Sequence, residues 1–219
     1  MDNARIASLL APFIPTGLSQ HQLAQVSTYL ELLLRWNASP QNPKRGINLT
    51  SVRQPEEIIT RHFGESFFLA SQLFSRPPEP GLHAVDVGSG AGFPGMPLKI
   101  YAPGLQLELI ESQQKKAAFL REIVRALILT YINVWNARLD PFAEKNSACA
   151  GLVTLRAVER FGHVLPTAAK LLGDRGRLAL LIGSSQVQTV HSMLPGFKWP
   201  TPLPVPLSSS RVLLVGERS

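Results

Sequence analysis

The sequence predicts an α/β fold, a mostly parallel sheet with helices on both faces and an antiparallel last strand, preceded by a helical extension. Three observations carry this. After residue 81, short β-branched runs alternate with helical stretches, the pattern of repeated strand–helix–strand units. The first such run ends in a glycine-rich turn that opens a helix. Before residue 75, apolar residues recur at helical spacing.

Taken in order, residues 4–14 and about 19–36 read as helices. Ser19 suits an N-cap, ahead of Leu23, Val26, Leu30, Leu33 and Leu34. Ser39 to Asn48 is a break containing Pro40, Pro43 and Gly46, with Lys44 and Arg45 inside it. A third helix runs from about Pro55, a residue suited to a first turn, to Phe74. The linker SRPPEPG then separates a helical segment, 1–80, from an α/β domain, 81–219. Strands are expected at Ala84–Val87, Leu105–Ile110, Ile132–Trp135, Leu152–Leu155 and Leu178–Ile182, and helices at about 96–101, 113–129 and 160–172. Arg211–Val215 follows a Pro-rich stretch that leaves no room for a crossover helix, so it is expected to run antiparallel.

Composition narrows the class. At 219 residues with 45% hydrophobic content, the chain can bury a self-sufficient core, which excludes a disordered or collagen-like protein. A single cysteine, Cys149, excludes an intrachain disulfide framework and a Cys-rich zinc site and fits a reducing compartment. No apolar run approaches the ~20 residues of a membrane span, and the first residues do not read as a signal peptide; a cytoplasmic location is expected. The net charge is +7, of which +6 falls on residues 81–219. A basic surface favours a polyanionic partner, RNA or DNA.

The segment Asp86-Val87-Gly88-Ser89-Gly90-Ala91-Gly92-Phe93-Pro94-Gly95 carries the chemistry. Gly88, Gly90 and Gly92 let the backbone turn tightly against a ligand. Glu111 ends the next strand, where an acid accepts hydrogen bonds from both hydroxyls of a ribose. The pattern reads as a nucleoside-containing cofactor site. A dinucleotide fingerprint needs a third glycine where Phe93 stands, and a pyrophosphate would face Asp86. A sulfonium and an ammonium would not be repelled there, which favours S-adenosylmethionine.

Asp86–Pro97, read as DVGSGAGFPGMP, resembles the small-subunit rRNA guanine-N7 methyltransferase family, also called the glucose-inhibited division protein B family. Asn48-Leu49-Thr50 with Arg61-His62-Phe63, Leu109-Ile110-Glu111-Ser112 with Lys115-Lys116 and Phe119-Leu120, Asn136-Ala137-Arg138 and Leu155-Arg156-Ala157 agree with it, over about residues 30 to 183. The resemblance implies a class I Rossmann-like methyltransferase that moves a methyl group from S-adenosylmethionine to guanine N7 in the 530 loop of 16S rRNA. It implies that Gly88, Phe93 and Glu111-Ser112-Gln113 line the cofactor, that Leu139-Asp140 flank the adenine, and that Arg156 lies near the methyl-transfer end. Two positions depart from the family pattern: Gly64-Glu65-Ser66 replaces Leu-Asp-Ser, and Asp140 replaces a glutamate.

The residues agree with that chemistry independently. The segment after the fourth strand, Thr154-Leu155-Arg156-Ala157, has neither the Asn/Asp-Pro-Pro-aromatic motif of amine methylation nor a cysteine for pyrimidine addition. Guanine N7 is an unprotonated acceptor and needs no general base. Arg156 is therefore expected to position the guanine through O6 or a phosphate. Lys44, Arg45, Lys115, Lys116 and Arg160, taken one helical turn after Arg156, are the RNA-contact candidates, and no metal site is expected. The partner is 16S rRNA or the small subunit, met by a monomer. A small-molecule methyltransferase, a nicotinamide dehydrogenase and a non-catalytic RNA-binding module remain the rival readings.

Overall fold

A computed structural model describes residues 1–37, 47–74 and 81–218. Lys44 and Arg45 lie outside the described residues.

The chain opens with α1 (Asn3–Leu10) and α2 (Gln20–Asn37). Ser19 caps α2 reciprocally: the Gln22 amide donates to Ser19 Oγ at 3.2 Å, and the Ser19 amide donates to Gln22 Oε1 at 2.9 Å. α3 (Pro55–Ile58) runs through a π-helical stretch (Ile59–Gly64) into α4 (Glu65–Leu73). The π stretch widens one turn of the helix, a feature often found at functional sites.

Five strands follow in strand–helix alternation: β1 (His83–Val87), β2 (Gln106–Glu111), β3 (Ile132–Asn136), β4 (Ala150–Arg156) and β5 (Leu172–Gly183). Between them lie α5 (Gly95–Tyr101), α6 (Gln114–Ala126), α7 (Leu139–Lys145) and α8 (Phe161–Ala169). After α9 (Val187–Met193) come β6 (Phe197–Lys198), β7 (Leu203–Pro204) and β8 (Arg211–Arg218). The sheet order is β3-β2-β1-β4-β5-β8-β6, with β7 also on β8. The first five strands pair in parallel, and β8 pairs antiparallel with β5, Leu214 opposite Leu180. The class I methyltransferase expectation and the antiparallel last strand are therefore met.

Strand alternation sends successive side chains to two cores. Ala84, Leu107, Leu109, Leu152 and Ala179 face α1 to α6, while Val85, Val87, Ile110, Val153 and Leu180 face the α8 side. The N-terminal helices thus share one apolar core with the sheet. Tyr29 of α2 stacks on Phe93 at a centroid separation of 5.4 Å, and Phe63 meets the edge of both rings at 5.0 Å.

Three details differ from the sequence reading. α7 and α9 were not expected: at seven residues each they show no helical period, and they lack the glycine-rich turn that announces the equally short α5. β5 starts at Leu172, ahead of the expected Leu178, and Gly173-Asp174-Arg175-Gly176 form an irregularity within its pairing with β4. Arg160 is not a helical turn beyond Arg156: it follows the end of β4 and has φ of 53°. No helix among the described residues is long and apolar enough to cross a membrane.

Candidate active site

A parallel sheet leaves a crevice at the carboxyl ends of its strands, where the order reverses between β1 and β4. A cavity of about 570 Å³ lies there, a volume suited to a cofactor. Val87, Gly88, Ser89, Gly90 and Phe93 line it after β1, and Ile110 to Gln113 after β2. Ala137 to Asp140 follow β3, and Arg156 to Arg160 follow β4. Leu49, Lys116 and His163 complete the wall.

The glycine loop is held from two sides. Gly88 and Gly90 have φ of 68° and 56°, a region that side chains resist. Glu111 Oε2 accepts the Gly90 amide at 2.9 Å, and its Oε1 accepts the Gln113 amide at 2.7 Å. Each carboxylate oxygen keeps a further lone pair for a ligand hydroxyl. From below, the Tyr29 hydroxyl donates to the Ala91 carbonyl.

Gly92 and Asp86, expected to touch the cofactor, do not line the cavity. A Cβ on Gly92 would strike the Tyr29 hydroxyl and come within 2.9 Å of Met96. Its glycine is required by α2 packing, not by ligand approach. Asp86 is fully buried beneath the loop, with Oδ1 accepting from Thr154 Oγ1 at 2.7 Å and Oδ2 without a hydrogen-bond partner among the described residues. Burial pushes its carboxyl up to about 6 against the pull of Thr154 and neighbouring donors.

Arg156 lines the cavity, but most of its guanidinium is already engaged. Nε and Nη2 donate to Glu65 Oε2 at 3.1 and 2.9 Å, and Nη2 also reaches the Arg61 carbonyl at 2.8 Å and His62 Nδ1 at 3.0 Å. Because an arginine only donates, His62 Nδ1 is the acceptor and Nε2 carries the proton, shared with Thr50 Oγ1 at 2.6 Å. Burial first, then Arg156 and Arg61, pull the His62 pKa down to about 3, so the ring is neutral. Arg211 Nε lies 3.1 Å from the same Glu65 oxygen, outside hydrogen-bonding geometry. Burial lowers the Arg156 pKa, and Glu65 opposes that shift. Arg156 Nη1 makes no hydrogen bond among the described residues and is the donor left for a substrate.

Asp140 is exposed on α7, its carboxylate 3.1 Å from His163 Nε2 and 3.3 Å from Thr167 Oγ1. The His163 contact leads in holding its pKa below the usual carboxylate value. Ser112 and Gln113 lie on the wall, Lys115 is exposed outside it, and Lys116 is on it. Among the described residues, no group of three His, Cys, Asp or Glu is placed to hold a metal ion.

The family profile of rRNA small subunit methyltransferase G matches residues 22–193. The chain belongs to the rRNA small subunit methyltransferase G family. A Ribosomal RNA small subunit methyltransferase G from Xanthomonas axonopodis pv. citri (strain 306) is 32% identical over 98% of this chain and 98% of its own. One from Desulfitobacterium hafniense (strain Y51) is 35% identical over 79% of this chain and 68% of its own. The solved structure of a SAM dependent methyltransferase from Aquifex aeolicus superimposes with a TM-score of 0.55 at 15% identity, over 68% of this chain and 89% of that one; it shares the fold. Sequence reasoning missed Tyr29 and His163. Tyr29 sits unmarked in an apolar helix face, and His163 meets Asp140 across 23 residues.

Proposed function

We propose that this chain transfers the methyl group of S-adenosylmethionine to N7 of a guanine in the 530 loop of 16S rRNA. The observation that carries the reading is the cavity at the carboxyl ends of β1 to β4, with Glu111 fixed on its wall by two backbone amides. S-adenosylmethionine, when bound, supplies an electrophilic methyl on a positively charged sulfur. Glu111 offers its free lone pairs to the ribose hydroxyls. The backbone at Gly88 and Gly90 admits close approach, and Leu139 and Asp140 take the adenine side. Phe93 closes the inner wall.

Guanine N7 attacks with its own lone pair, so the chain holds the base in line and removes no proton. Such positioning is worth ~7–11 kcal/mol of barrier. Arg156 Nη1 donates to guanine O6; Glu65 and His62 hold the rest of the guanidinium, which supports this role. Lys116 and Arg160 stand at the cavity edge for RNA phosphates. Lys115 extends that edge. Residues 1–80 act as a helical frame for residues 81–219, and the protein works as a monomer in the compartment that holds ribosomes. A small-molecule acceptor is not favoured, because the relatives are ribosomal RNA methyltransferases.

Calorimetric titration tests the cofactor. S-adenosylhomocysteine is expected to bind at a single site, and NAD not to bind. Saturable NAD binding without S-adenosylhomocysteine binding would contradict the reading.

A further inference from the structure

A second cavity, about 240 Å³, lies across the Arg156–Glu65 pair from the first, lined by Phe13, Thr60, Arg61, Glu65, residues 206 to 210 and Arg211. Its outer lip is a tight turn. The Ser208 amide donates to the Val205 carbonyl at 3.2 Å, Pro206 and Leu207 form the corners, and Val205 is buried as the anchor. Leu207 has φ of 58° at the corner position where such turns ordinarily carry glycine or asparagine. It is also 76% exposed. Ile128 and Tyr131 share this positive φ and high exposure, so what sets Leu207 apart is its place on the lip of a cavity that also carries Arg61 and Arg211.

The surroundings say what the leucine meets. Arg61 and Arg211 bring two cations to the cavity, with the exposed hydroxyl residues Ser209 and Ser210 beside them. Glu65 is the one carboxylate in the described lining; Arg156 occupies its Oε2 through two donors, and Arg211 shares the same oxygen as an ion pair at 3.1 Å, so two arginines face one carboxylate. Glu57 pairs with Arg61 at 2.9 Å on the outer side. We propose that the 205–211 loop is a nucleotide-binding subsite, in which Leu207 packs on a base next to the target guanosine and the Arg61, Arg211, Ser209 and Ser210 side chains take the adjoining phosphate. Apolar side chains that insert beside a base and cations on its phosphate are a recurrent pair in proteins that unstack nucleic acid. The inference rests on the ribosomal RNA reading above and extends the substrate site to a second side of Arg156.

Leu207→Gly separates the roles. Glycine accepts the positive φ, so the variant is expected to melt at the same or a higher temperature and to bind S-adenosylhomocysteine as the parent does. Its KM for small ribosomal subunits lacking the methyl group is expected to rise about tenfold, with the salt dependence of binding unchanged and Leu207→Met restoring the parental KM. Arg61→Gln is expected to weaken subunit binding with a salt slope reduced by about one. An unchanged KM in Leu207→Gly, or a lower melting temperature, would overturn the proposal. A parent protein that methylates no subunit would instead overturn the underlying reading.

Discussion

In the proposed cofactor site, Glu111 carries the most. Its two oxygens tie the Gly90 and Gln113 amides into one frame, so Glu111→Ala leaves both donors unpaired and removes the ribose acceptor. The expected effect is a loss of ~1–3 kcal/mol in cofactor binding, about 5- to 150-fold in Kd, read by calorimetry. Two buried groups set the response to acid in opposite senses. His62 titrates near 6.5 when unfolded but about 3 when folded, so its contribution is intact above 6.5 and is lost as pH falls towards 3. Asp86 has a folded value of about 6 against 3.8 unfolded, so its contribution is full below 3.8 and is lost as pH rises through 6. Between pH 6 and 4 the two contributions oppose each other, so Asp86→Asn, which removes the offsetting group, is expected to make urea midpoints fall more steeply with acid than they do in the parent. An unchanged pH profile in Asp86→Asn would contradict the buried-carboxylate account. Glu111 was legible in the sequence because a strand end and a glycine turn place it locally. The Arg156–Glu65–His62 cluster was not, since it joins residues 91 and 94 positions apart through a π-helical turn.

The elements explain a departure from the family pattern. Gly64 stands where the family carries leucine, and a Cβ there would lie 2.7 Å from the ring of Phe13. Phe13, just beyond α1, fills the space that the leucine side chain would need, and Gly64 is the compensating half. Gly64→Leu alone is expected to destabilise the protein by ~1–3 kcal/mol through overpacking. Combined with Phe13→Ala, it is expected to cost less than the two single changes together, as measured by denaturant unfolding; strict additivity would contradict the compensation. Strands were readable because β-branched runs bounded by turns carry a local signal. α7 and α9 were not, because two turns of helix show no period and neither follows a motif like the glycine-rich turn that announces the equally short α5, and the start of β5 was hidden by glycines at an irregularity in its pairing.

Across the whole molecule, α2 and the π-helical turn do more than cover the sheet. Tyr29 fixes the glycine loop, Leu49 supplies part of the cavity wall, and Glu65 holds Arg156. The cofactor and substrate sides of the site are therefore built jointly by the first 74 residues and the sheet. The net charge of +7 was visible from composition alone, whereas the two cavities flanking the Arg156–Glu65 pair required the fold. The measurement that tests this arrangement most directly is transfer of labelled methyl from S-adenosylmethionine to small ribosomal subunits lacking the modification, with free 16S rRNA in parallel and the product mapped by cleavage at 7-methylguanosine. The account predicts label at one guanine N7 in the 530 loop, reduced by Glu111→Ala when the cofactor is below saturation. Label on another atom, or none from a protein that binds S-adenosylhomocysteine, would contradict it.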